Sequence, residues 1–113
     1  MNSNMRKANL LAESLQGLID LVNRTYHHHT YFVPNQDVLY RLHALVGEFR
    51  FQILADELLR LNKYSWDEKQ TVDIIEKLDK KIGIIDEFIR SNYNDLFLFS
   101  GRVHSIRSIL DSF

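Results

Sequence analysis

Apolar residues recur along this chain in helical steps over four stretches, separated by short polar breaks. In the first, Leu11, Leu15, Leu18 and Val22 are spaced by four, three and four residues, with Leu10 and Ile19 widening the stripe. Glu13, Asp20 and Arg24 fall elsewhere on the helical wheel. The same steps continue to Tyr26 and His29, and the helix must end before Pro34, whose ring disfavours a helical backbone at Val33. Asn35 is a good N-cap for a second helix over residues 36–61, with Asp37 in its first turn favoured by the helix dipole. There Val38, Leu42, Leu45, Phe49 and Ile53 form one stripe, which Leu39, Val46, Leu54, Leu58 and Leu61 broaden. Contact with more than one neighbouring helix is expected from a stripe this wide.

The next break closes on Ser65-Trp66-Asp67-Glu68, the pattern of a capping box that starts a third helix over residues 66–91. Ile75, Leu78, Ile82, Ile85 and Ile89 give it a seam like that of a coiled coil. Lys69–Asp73, Asp73–Lys77, Glu76–Lys80 and Asp86–Arg90 are opposite charges four residues apart on its outer side. After a break at residues 92–95, Leu96, Phe99, Val103, Ile106, Leu110 and Phe113 repeat the seam. Breaks of a few residues make consecutive helices run antiparallel, so the expected fold is all-α, an antiparallel (up-down-up-down) four-helix bundle in one domain over residues 1–113. A homodimer of helical hairpins satisfies the same pattern.

Composition narrows the chemistry. With no cysteine in 113 residues, disulfide frameworks, thiolate metal sites and cysteine nucleophiles are excluded. Fourteen Lys+Arg against fifteen Asp+Glu leave a formal charge of −1, so no global basic field draws in nucleic acid. The final helix offers one local basic candidate in Arg102, His104 and Arg107. No stretch has the length of apolar residues that a membrane span needs, and no signal peptide is evident at Met1 to Lys7, so a cytoplasmic protein is expected. No cofactor motif occurs. His27, His28 and His29 are adjacent, and successive side chains on a helix diverge by about 100°, so the run does not read as a metal site.

The break between the first two helices holds the remaining chemistry. Arg24-Thr25-Tyr26-His27-His28-His29-Thr30-Tyr31 reads R-x4-H-x-Y and resembles the motif of the HEPN family of four-helix ribonucleases, found in some toxin–antitoxin modules. The resemblance implies His29 as the proton-transfer group, Arg24 as the group that holds the scissile phosphate and Tyr31 as an orienting residue, acting across a dimer interface. It covers these eight residues, which here end the first helix rather than lying late in the chain. Read without the resemblance, Arg24 pairs with Asp20 one turn back, and His29 is a helix C-terminal residue favoured by the dipole.

One tryptophan, five tyrosines and seven phenylalanines exceed what a core of this size requires. Arginine and aromatic residues are the usual anchors of protein interfaces, and the first break combines Arg24, Tyr26, Tyr31 and Phe32. The functional expectation is therefore a non-enzymatic cytoplasmic bundle that binds and regulates or neutralises another protein, as an immunity protein, antitoxin or adaptor does. The metal-independent ribonuclease is the alternative.

Overall fold

The computed structural model describes residues 3–28, 33–64 and 68–113, all of it helix and short connection, with no strand among them. Five helices follow one another: α1 (Ser3–His28), α2 (Gln36–Glu48), α3 (Phe51–Tyr64), α4 (Glu68–Ser91) and α5 (Tyr93–Asp111). The capping box at Ser65 to Asp67 lies outside the described residues, as do His29, Thr30, Tyr31 and Phe32.

Helix α1 buries Ala8, Leu11, Ala12, Leu15, Leu18, Leu21, Val22 and Thr25, a stripe that leans away from Leu10, which is half exposed instead of widening it. Thr25 is fully buried and its hydroxyl donates to the Leu21 carbonyl at 2.7 Å, so no polar group is left unsatisfied there. Asn35 caps α2 as its sequence suggests, its side-chain oxygen accepting from the Asp37 and Val38 amides at 3.1 and 3.3 Å.

The expected long second helix is two helices. Arg50 stands in the left-handed region at φ 52°, and the ladder is interrupted between Glu48 and Phe51. The Phe49 and Arg50 amides close the end of α2 on the Leu45 and Gly47 carbonyls, while the Arg50 carbonyl receives the Ile53 and Leu54 amides that open α3. The break also slips the apolar register. Val38, Leu39, Leu42 and Val46 are buried before it, and Phe51, Leu54, Ala55 and Leu58 after it. Ile53, which an unbroken helix would turn inward, is 52% exposed.

In α4 the seam holds at Leu78, Ile82, Ile85 and Ile89, all fully buried, with Ile74 taking the place expected for Ile75 and Ile75 packing beside the core. Asn92 alone separates α4 from α5, a tighter connection than the four-residue break expected. Its side-chain amide donates back to the Phe88 carbonyl at 3.0 Å. The α5 seam (Leu96, Phe99, Val103, Ile106 and Leu110) is buried throughout, and Phe113 packs against it.

Helix α1 packs chiefly on α3 and α5, and α4 on α5, with smaller contacts from α2 to α1, α4 and α5 and from α3 to α4. Early α1 meets late α5, where Lys7 lies over the Phe113 ring and donates to the Ser112 carbonyl. Ten residues on, the Arg102 guanidinium lies so close over Gly17 that a β-carbon there would fall 2.7 Å from Nη1. Likewise Arg41 of α2 lies over Phe88, and Lys81 of α4 over Phe49. These pairings are compatible with neighbours running in opposite directions. The 26 residues of α1 span about 39 Å at 1.5 Å per residue.

Candidate functional site

The end of α1 and the middle of α2 bring four rings together. Tyr26, half-buried against the core, stacks on His43 with centroids 4.1 Å apart and ring planes 14° from parallel. His27 meets the same His43 ring edge-on at 5.4 Å, and Tyr40 tilts against Tyr26 at 6.0 Å. The α-helical spacing of Tyr40 and His43 puts both on the side of α2 that faces α1. Burial lowers the His43 pKa below its ordinary value, and the charge of His27 beside it lowers it further. The neutral imidazole, flat against the phenol ring, is the form this packing favours.

His27 and His28 are exposed at the helix end, and Arg24 is exposed one turn earlier. The guanidinium of Arg24 donates to the Asp20 backbone carbonyl at 3.4 Å, while the Asp20 carboxylate accepts from Gln16 at 2.9 Å. Of the residues singled out by sequence, the structure thus places Arg24 and Tyr26 within one turn of α1 but on different faces, two residues apart, Arg24 exposed and Tyr26 with one face already covered. Among the described residues no group of three His, Asp or Glu side chains is placed to hold a metal ion.

Sequence reasoning missed the feature that adjoins this cluster. A groove of about 490 Å³ runs between α2 and α4, lined by Tyr40, Arg41, Ala44, Leu45 and Glu48 on one side and Ile84, Glu87, Phe88 and Ser91 on the other. Tyr40 (59% exposed) and Ile84 (49%) stand on its rims, and half-buried Leu45 and Phe88 form its apolar floor. Tyr40 belongs to both the ring cluster and the groove, so the two are continuous. The sequence signal was Ile84 and Phe88 themselves, apolar residues four apart that lie off the α4 seam.

On the other side of α4, Asp86 is buried and its Oδ2 accepts from Arg107 of α5 at 2.8 Å and pairs with Arg90 at 3.2 Å. The Asp86–Arg90 pair was expected on an outer helix surface. Its carboxylate instead lies between α4 and α5, and the inter-helix arginine is the shorter contact. No helix among the described residues is long and apolar enough to cross a membrane. Comparison of the chain with protein-family models, curated proteins and solved structures gives no match.

Proposed function

We propose that the five helices form an antiparallel up-down-up-down four-helix bundle, its second helix broken at Arg50, that works in the cytoplasm by binding and regulating or neutralising another protein. The observation that carries this reading is the groove between α2 and α4, with Tyr40 and Ile84 exposed on its rims and Leu45 and Phe88 as its floor. Aromatic and aliphatic side chains standing in solvent around a concave apolar strip are the usual anchor pockets of protein interfaces. A strip between two helices suits the apolar face of a partner helix, read at every third or fourth residue. Arg41, Glu48 and Glu87 supply a polar rim. Tyr26 extends the surface at the ring cluster that adjoins the groove, Arg24 stands exposed two residues earlier on α1, and Tyr31 and Phe32 belong to the segment that follows.

The test is affinity capture from the native host with three baits in parallel: wild type, Ile84→Glu, and Leu10→Glu as a control at an exposed position that does not line the groove. A protein retained by wild type and by the control and lost from Ile84→Glu supports the reading. Equal retention by all three baits overturns the groove as the docking surface. Metal-free RNA cleavage by the wild type that His29→Ala abolishes replaces binding by the nuclease chemistry of Arg24, His29 and Tyr31.

A further inference from the structure

The opposite flank of α4 holds a second concavity whose chemistry is of another kind. A cleft of about 380 Å³ between α4 and α5 is lined by Asp86, Arg90, Tyr93, Ser100, His104 and Arg107, with Gly101 also on its wall. The buried Asp86 carboxylate forms its floor and holds both arginines through one oxygen, Oδ2. Each guanidinium carries five N–H donors in a rigid plane. The 2.8 Å bond to Asp86 holds Arg107 from the neighbouring helix, while Arg90 reaches the same oxygen from the surface, and both keep further donors for the open side, where the Arg90 side chain is 76% and the Arg107 side chain 39% exposed. Two arginines against one carboxylate leave a net positive charge in the cleft. The Ser100 hydroxyl and His104 imidazole stand one turn apart along the α5 wall, and nothing lies within 4 Å of the position a β-carbon would take at Gly101, so that wall is open.

We propose that this cleft binds a phosphate monoester, the phosphoryl group seated against Arg90 and Arg107 with Ser100 and His104 beside it. Arginine suits the paired-oxygen geometry of phosphate, and Arg107, held by the buried carboxylate, loses little freedom on binding. Tyr93 forms the end of the cleft and meets Phe97 with ring centroids 6.3 Å apart, both rings more than half exposed. This aromatic ledge beside a phosphate seat provides a stacking surface for a base or a sugar face. Arg102, which the sequence grouped with His104 and Arg107, turns away to Gly17 of α1, and Arg90 takes its place.

The experiment is a two-dimensional NMR titration of the whole chain with inorganic phosphate, ribose 5-phosphate and adenosine 5′-monophosphate, in separate arms, with sodium chloride as the ionic-strength control. The expected result is saturable shifts confined to residues around 86–93 and 97–107, tighter binding of the nucleotide than of inorganic phosphate, and affinity reduced about tenfold or more in Arg90→Ala, as loss of a charged hydrogen-bond donor implies. Arg90 is the surface member of the pair, so its removal leaves the Asp86–Arg107 contact intact and the fold is checked by the unchanged remainder of the spectrum. Equal affinity for all three phosphates keeps the seat and removes the ledge from the proposal. Shifts that chloride reproduces, shifts unchanged by Arg90→Ala, or no saturation at roughly 10 mM ligand, where even a weak site with a Kd near 1 mM is filled, overturn it.

Discussion

His43 lies flat on Tyr26 with His27 at its edge, and burial followed by the His27 charge holds its pKa below the ordinary histidine value of 6.5. In the unfolded chain neither influence operates, so near and below that value the unfolded state binds more protons than the folded one. The contribution of His43 to stability is therefore present above 6.5 and is lost as the pH falls from there through the lowered folded-state pKa. Melting temperature should fall as the pH is lowered below about 6.5, and the fall should be smaller in His43→Gln. Identical pH profiles for variant and wild type would show that the stack does not discriminate between protonation states. Asp86 makes the second prediction. Replacing it with alanine removes the anchor of Arg107 and should cost about 1.5–3 kcal/mol, the range of hydrogen bonds to charged groups, read as a shift in urea midpoint. Its burial was not legible in the sequence, because a carboxylate four residues before an arginine reads as a surface pair. The partner that draws it inward lies 21 residues further on, on α5.

Helix α4 carries the uninterrupted seam, and Ile82 sits in it fully buried. Ile82→Ala should cost about 2–4 kcal/mol, as deletion of a buried branched side chain does; a thermal melt coincident with wild type would mean that this face is not core. The α2–α3 break leads to a prediction of opposite sign. A non-glycine residue in the left-handed region is strained by about 1–2 kcal/mol, so Arg50→Gly should leave the structure unchanged and raise stability by a fraction of that, measured by chemical denaturation. A loss would show that the Arg50 side chain contributes more than its backbone conformation costs. This element explains what the hydrophobic pattern could and could not disclose. The steps of α1, α4 and α5 were legible because regular spacing repeats the core face at each turn. The break was not, because arginine carries no turn signal and the stripe from Val38 to Ile53 reads equally well as one helix. The one-residue slip that buries Phe51 and exposes Ile53 follows from φ at a single position.

Across the whole molecule the two flanks of α4 differ in chemistry: an apolar groove with α2 on one, a cleft holding two arginines and a buried carboxylate with α5 on the other. The off-seam residues Ile84 and Phe88 were the sequence signal for the first, passed over because they lie outside the seam, while the second appears only when α5 is laid beside α4. The reading that the protein acts by binding places its anchors in the first. Truncating an aromatic anchor typically costs about 1 kcal/mol or more in affinity, so Tyr40→Ala should weaken the complex by that much in a titration with the captured partner, with the melting curve of the free protein little changed because Tyr40 is 59% exposed. The most direct measurement is amide hydrogen exchange of the chain alone and in complex with that partner. The account predicts slowed exchange concentrated in residues 40–48 of α2 and 84–91 of α4. Protection confined to the first half of α1 or to α3, with α2 and α4 exchanging as in the free chain, would contradict it.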